Sequence, residues 1–567
     1  MSLQFIFGNS GSGKSHYLYQ HIVEESIRHP EKNYLVLVPE QFTMQTQKDL
    51  CMAHPRGGIM NIDVLSFGRL AHRVFEETGK ERQPILDDEG KNLVLRKIAG
   101  NYEEELTVLK GNLKKQGYIS EVKSVISEFT QYGIDFEQLD SFMEGLNPES
   151  YLYYKMKDIR KVYEGFEDYL RDKYITKEEL LDVLSQTVPE AGMLKDSVIA
   201  MDGFTGFTPV QNRLIGELLK VCDKIMLTVE IDRREDPFVY KHPYQLFALS
   251  KQMVTSLTEV AQEVKAKIDE PVWLCKNPPY RFKENPEMAF LEEELFRYSR
   301  RKYDGEKMQS ISLHEVHTPQ EEAQYVAEEI RRLVREEGYR YREIAVIASD
   351  LNAYADSLEK ACEHYEIPVF MDHKKSILLN SFVEYLRSLR VMVEQNYTYE
   401  SVFRYLRTGL CGFTRDEVDR LENYCLALDL KGFKKWDQVW VRKTPMTTKE
   451  ELEELNHLRV HFVEKLTPLH TVLKKRKKTV KEITLAVYEY LVQEKIQEQL
   501  AELEQKFQED GELALAKEYA QIYRIVLELF DKFVELLGEE EIPLKEYCEL
   551  LDAGLEEAKV GVIPPSL

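Results

Sequence analysis

The chain has 567 residues, 31% of them charged and 43% hydrophobic, a balance that supports large buried cores and excludes a chain disordered overall. No apolar run approaches the ~20 residues of a membrane span, and the N-terminus lacks the basic segment, apolar stretch and cleavage site of a secretory leader, so the expected location is the cytoplasm with no membrane partner. A net charge of −23 argues against indiscriminate nucleic-acid binding while leaving room for one local basic surface, and the length exceeds what a single core serves, so several domains are expected.

Leu3-Gln4-Phe5-Ile6-Phe7 reads as a short buried strand. Gly8-Asn9-Ser10-Gly11-Ser12-Gly13-Lys14-Ser15 follows at once and fits the pattern G-x-x-x-x-G-K-[ST], with helical periodicity from Ser15 to Val23. In such a loop glycines let backbone N–H groups curl around phosphate oxygens, Lys14 reaches the outer phosphates of a nucleotide such as ATP, and the Ser15 hydroxyl ligates Mg2+. Further β-type runs, Leu35–Val38, Ile62–Ser66, Val198–Asp202 and Ile225–Val229, alternate with helical stretches and predict a largely parallel sheet. Between about residues 87 and 190 the pattern is helical, with apolar and aromatic positions at three- and four-residue spacing from Ser120 to Tyr132 and from Tyr151 to Tyr169. Thr176-Lys177-Glu178-Glu179 is a capping box.

A second α/β unit is expected from Ser310. It comprises a strand at Ser312–Val316, a helix opened by Thr318-Pro319-Gln320-Glu321 and ended at Gly338, a strand at Ile344–Ala348, a helix at Tyr354–Tyr365 and a strand at Ile367–Met371. Beyond about residue 376 the chain is helical and charge-rich. Its basic run Lys474-Lys475-Arg476-Lys477-Lys478 reads as a solvated loop or helix end. The seven cysteines are scattered, without C-x-x-C pairs or metal spacing, and are expected as buried, reduced thiols. The close at Gly561-Val562-Ile563-Pro564-Pro565-Ser566-Leu567, with no terminal helix, suggests an incomplete sequence.

The expected fold class is therefore α/β, two RecA-like P-loop NTPase-type parallel-sheet domains, each with a helical insertion. The boundaries are 1–86 and 190–300 for the first sheet domain, 87–189 for its insertion, 305–375 for the first part of the second and 376–567 for its insertion. That plan resembles superfamily 1 (UvrD-like) DNA helicases. Phe7–Ser15, Val36-Leu37-Val38-Pro39-Glu40-Gln41-Phe42-Thr43, Val64-Leu65-Ser66-Phe67-Gly68-Arg69-Leu70 and Met201-Asp202-Gly203-Phe204-Thr205-Gly206-Phe207-Thr208-Pro209-Val210-Gln211 make it similar, along its whole length, to the N-terminal half of AddB-type subunits of the bacterial ATP-dependent helicase/deoxyribonuclease AddAB.

The resemblance implies an ATP- and single-stranded-DNA-binding subunit that processes DNA double-strand breaks for homologous recombination, in a heterodimer with an AddA-type helicase/nuclease. It also implies a departure. Active relatives end the strand matching Val198–Asp202 with an Asp-Glu pair; here it reads Asp202-Gly203, so Asp202 is left to help hold Mg2+ through a coordinated water and no carboxylate orients the attacking water. The arginine of the second domain's strand is missing from Ile347-Ala348-Ser349-Asp350, and an adenine-recognition segment has no room before Gly8. The implied role is a motor-inactive pseudo-helicase that scans single-stranded DNA for a recombination hotspot. Gln41, Thr43 and Arg69 would contact bases or phosphates, and Phe42, Phe67, Phe204 and Phe207 would stack on unpaired bases; the same phenylalanines equally suit the core between strands and helices. The family's nuclease domain and 4Fe-4S cluster would lie beyond Leu567. Alternatives are an active DNA-stimulated ATPase using Glu40 as the missing carboxylate, a small-molecule kinase, and a scaffold with a vestigial loop.

Overall fold

The structure, a computed structural model, describes residues 1–79, 84–112, 116–171, 173–305, 308–371, 375–444 and 447–560; the close at 561–567 lies outside them. The chain divides into two compact units. The first comprises Met1–Asp87, Tyr102–Asn112 and Gly117–His314, and the second Asp88–Asn101, Leu113–Gln116 and Glu315–Leu567.

The first unit is built on a seven-stranded parallel sheet. Its strands are β1 (Ser2–Gly8), β2 (Tyr34–Leu37), β3 (Ile62–Leu65), β4 (Val198–Met201), β5 (Lys224–Glu230), β6 (Lys267–Ile268) and β7 (Val272–Trp273). The order is β3-β2-β4-β5-β1-β6, with β7 also paired to β1. The runs of Val, Ile, Leu and Phe suit strands covered on both faces, as parallel sheets require. Leu3, Phe5 and Phe7 face one core with Leu227, Val229 and Met201, and Ile6 faces the other with Met226 and Ala200. Helix α1 (Lys14–Arg28) packs Leu18 and Ile22 on the Ile6 face; α3 (Phe67–Thr78), α4 (Pro209–Val221) and α5 (Ala248–Glu263) cover the Phe5 face, with α2 (Thr43–Ala53) adding Leu50 beside α1. Thr208 and Gln211 close a capping box at the start of α4, and Ser66 caps α3.

The segment read as helical between 87 and 190 is mostly so, with helices Gln116–Tyr132, Phe136–Glu144, Tyr151–Leu170 and Leu180–Thr187. Its strand Ile175–Thr176 pairs in parallel with Ile85–Leu86, just before the segment, a pair too short to show in a hydrophobic pattern. Asp158, buried on the Tyr151–Leu170 helix, accepts backbone N–H groups of Thr107, Val108 and Leu109 at 2.7–3.0 Å. The helix Asp88–Asn101, part of the expected insertion, packs with the helices of the second unit through Arg96–Glu549 (3.1 Å) and Lys97–Glu540 (2.6 Å).

The second unit contains the expected helices as Pro319–Glu336, ending before Gly338 at φ 78°, and Leu351–His364, which enclose Ala327, Ile330, Cys362 and Ile367. Ser312–Val316, Ile344–Ala348 and Ile367–Met371 are not strands. Alternation alone makes no strand without a neighbour to pair its backbone; Leu313 and Ile347 are 98% and 94% exposed, so among the described residues little covers their apolar side chains. Most of the remaining chain forms a helical assembly whose buried Arg390 is satisfied by the Leu386 and Cys548 carbonyls and Asp552. Lys474 to Lys478 follow the helix Lys449–Leu473, where cations suit the helix C-terminus, and Lys477 pairs with Glu541 while Lys478 turns inward onto the Lys475 carbonyl. Among the described residues no helix is long and apolar enough to cross a membrane.

Asp158→Ala leaves three N–H donors without their acceptor, of which the buried Leu109 N–H costs about 1–3 kcal/mol unsatisfied. The expected outcome is a clear drop in the unfolding midpoint of the first unit, measured by urea denaturation; an unchanged midpoint would show that the carboxylate does not fix the 107–109 turn.

Candidate nucleotide-binding site

Strand β1 ends at Gly8, and the next residues turn back over the C-terminal edge of the sheet into α1. Three contacts shape the turn: Ser12 N–H donates to the Asn9 carbonyl (3.2 Å), the Lys14 ammonium donates to the same carbonyl (2.9 Å), and Tyr17 N–H donates to Gly13 (2.9 Å). Gly8 has no room for a side chain, since a Cβ there would lie 2.4 Å from Ser12 Oγ and 3.1 Å from Lys14 Cγ. Gly13, at φ 94°, precedes α1 and gives it no side-chain cap, so the helix N-terminus keeps its positive end and its N–H donors facing the loop.

The loop's polar interior is unsatisfied. Ser12 Oγ and Asn9 Oδ1 are buried without a hydrogen-bond partner among the described residues. Burial pulls the Lys14 ammonium below its ordinary value, against the carboxylates of Glu230 and Asp202, which favour its charged form. A cradle of backbone N–H groups, a helix N-terminus and a half-buried ammonium fits a polyphosphate with its metal.

Around the loop stand residues that the sequence pattern did not single out. Asn9 Nδ2 donates to Glu292 at 3.0 Å, and burial pushes the Glu292 carboxyl up. Arg281 N–H donates to the Gly11 carbonyl at 3.0 Å, which sets Arg281 and Phe282 against the loop. Cys275 accepts from Asn9 N–H, and burial raises its thiol. All three come from chain 265 or more residues downstream, so no local motif could announce them. The seven cysteines are free thiols, and five are buried; Cys51 and Cys275 are half-buried, as the expectation of a uniformly buried set did not foresee.

Asp202 follows β4, two strands from β1. Both its oxygens are taken by protein hydroxyls: Tyr19 of α1 donates to Oδ2 at 2.8 Å and Thr228 of β5 to Oδ1 at 2.5 Å. Burial and the Asp202 charge push the Tyr19 phenol well up, so it stays a donor. A hydroxyl inside the apolar run Ile225–Val229 was the one sequence signal for this partnership. Gly203 sits at φ 77°, and a Cβ there would meet the Phe42 ring and Pro39 at 3.6 Å.

The residues expected at DNA also gather on this sheet edge, on the loops after β2, β3 and β4. Gln41 and Arg69 are exposed, and Phe42 is 47% exposed. Thr43 is buried, its hydroxyl bonded to the Glu40 carbonyl at 2.9 Å. Phe67, Phe204 and Phe207 form one packed cluster, with ring centroids 5.1–6.2 Å apart, above the core. Phe67 is 7% exposed and offers no free face to a base; Phe204 and Phe207 are half-buried.

Substituting Gly203→Glu forces an L side chain into the left-handed region, a cost of about 1–2 kcal/mol. Urea unfolding should show that loss, with Gly203→Asn losing less, and ATP turnover should not rise; undiminished stability with new turnover would contradict the geometry around Phe42.

Comparison with known proteins places these features. Residues 5–292 match the family model described as ADDB, N-terminal, and residues 257–558 match that of the UvrD-like helicase C-terminal domain. Over its full length the chain is 42% identical to the B-type subunit of an ATP-dependent helicase/deoxyribonuclease from Lachnoclostridium phytofermentans, 33% to that of Clostridium novyi and 34% to that of Caldanaerobacter subterraneus. It spans about half the length of these curated relatives, 50%, 49% and 49% respectively. The chain belongs to the ADDB family and carries a UvrD-like helicase C-terminal region.

Proposed function

We propose that this chain binds Mg2+ and ATP at the Gly8–Ser15 loop and single-stranded DNA at the same sheet edge, as the helicase-like part of a DNA-break-processing subunit that has lost its own motor. The observation that carries this reading is the pairing of a complete phosphate cradle with an absent catalytic carboxylate: Gly203, with the Phe42 ring beside it, stands where the water-orienting glutamate of a working motor is expected. Replacing a catalytic base removes roughly 10²-fold or more in rate, so binding without useful turnover is the consequence.

In this reading Lys14 leaves the Asn9 carbonyl for the outer phosphates, Ser15 holds the metal, and the unpartnered Ser12 Oγ and Asn9 Oδ1 face the bound group. Gln41, Phe42 and Arg69 supply the exposed contacts to DNA, Phe42 by stacking at about 1–3 kcal/mol, with Phe204 and Phe207 at the margin. Residues 1–86 and 190–300 would be the first RecA-like domain and 305–375 the first part of the second, with insertions at 87–189 and 376–567. Movement along DNA ends would come from an AddA-type helicase/nuclease partner. The relatives are each named as one subunit of a helicase/deoxyribonuclease, which supports a role within such a pair.

The rival reading, an active DNA-stimulated ATPase using Glu40, meets a placement problem. Glu40 follows β2, which β4 and β5 separate from β1, so it is less directly placed at the loop than Glu230 of the neighbouring β5.

ATP turnover with and without single-stranded DNA should be indistinguishable from that of Lys14→Ala, while Lys14→Ala alone loses ATP binding. DNA-stimulated turnover well above the Lys14→Ala level would overturn the pseudo-helicase reading, and unchanged ATP binding in Lys14→Ala would overturn the site.

A further inference from the structure

Resting on the reading of the loop as an Mg2+–ATP site, we propose that Glu230, at the end of β5, is the carboxylate that meets the metal ion's water shell there, in place of Asp202. The register of the sheet puts it in position. Gly8 of β1 pairs with Glu230 of β5, and the following Ile231 N–H donates to the Gly8 carbonyl at 3.0 Å. Side chains alternate along a strand, and Met226 and Thr228 of β5 lie on the face that carries α1, Met226 in the core beneath it and Thr228 on Asp202. Glu230 is the next residue on that face. It is exposed at the sheet edge, one strand or about 4.8 Å from β1, and among the carboxylates acting on Lys14 it acts most strongly.

The usual position is closed. Asp202 is 6% exposed and its two oxygens already accept from Tyr19 and Thr228, an arrangement that holds α1, β4 and β5 together. Gly203 has no carboxylate. The buried Ser12 Oγ, without a partner among the described residues and next to Gly8, which pairs with Glu230, independently marks the place as one that awaits a polar ligand. Glu230 therefore would bind an outer-sphere metal water and, without the metal, repel the bare polyphosphate.

The test is equilibrium binding of ATP in EDTA and in Mg2+, by calorimetry, to the wild-type chain, Glu230→Gln, Glu230→Asp and Asp202→Asn. The wild type should bind more tightly with Mg2+. Glu230→Gln should lose about 10-fold or more of that gain, the scale seen when an outer-shell partner of a metal is removed, while its affinity for metal-free ATP holds or rises; Glu230→Asp should keep most of the gain. Glu230 is exposed and the change to Gln is isosteric, so the fold should stand. If Glu230→Gln keeps the full Mg2+ gain, if Asp202→Asn alone loses it, or if the wild type shows no Mg2+ gain, the proposal is wrong and the ATP site remains. If the wild type binds no ATP in either condition, the reading of the loop itself fails and the proposal with it.

Discussion

The site depends on the parallel pairing of β1 with β5. Seven residues from Ser2 to Gly8 are in register with Lys224 to Glu230, more than 200 positions away in the chain. Only this pairing, with β6 and β7 on the other side, gives the first residues of the chain two neighbours and buries Phe5, Ile6 and Phe7 completely. It also fixes where Gly8 ends, and so where the loop turns and where the α1 dipole points. That register sets Glu230 beside Gly8, and the pairing of β4 with β5 sets Asp202 beside Thr228, so the electrostatics around Lys14 follow from strand pairing rather than from a local motif. A one-residue slip would send Glu230 to the opposite face.

The parts of this structure that the sequence makes legible are those whose physics is local. The phosphate loop, the reciprocal Thr176–Glu179 bonds just ahead of the helix Leu180–Thr187, and the buried runs of β1 to β5 declare themselves within about ten residues, because glycine at a strand end, a hydroxyl three residues before Glu, and apolar runs each have one common use. The edge strands Lys267–Ile268 and Val272–Trp273 are too short to show. Arg281, Cys275 and Glu292 reach the loop only because β7 returns beside β1, which no pattern in their own segment reveals. The strand runs around Leu313 and Ile347 show the converse: correct alternation, but no pairing and no burial among the described residues. For the phenylalanines, chemistry alone could not separate stacking from core, and packing divides them. Phe67 closes the core, and Phe42 remains at the surface beside Gly203.

That division bears on function. A motor needs a cradle, a metal and a water held for attack on the γ-phosphate. Here the loop after β1 has the form of a phosphate cradle, and the residue after Asp202 is a left-handed glycine beside the Phe42 ring. On the proposed reading the missing carboxylate separates this site from that of a working motor. On that reading a bound nucleotide would contribute binding energy and order to the loops after β1 to β5 that share one edge of the sheet.

The most direct test is a crystal structure of the chain grown with Mg2+ and ATP itself. The account predicts three intact phosphates inside residues 8–15, with Lys14 moved from the Asn9 carbonyl onto them and Phe42 still beside Gly203. An empty loop with Lys14 unmoved, or ADP in place of ATP, would contradict it.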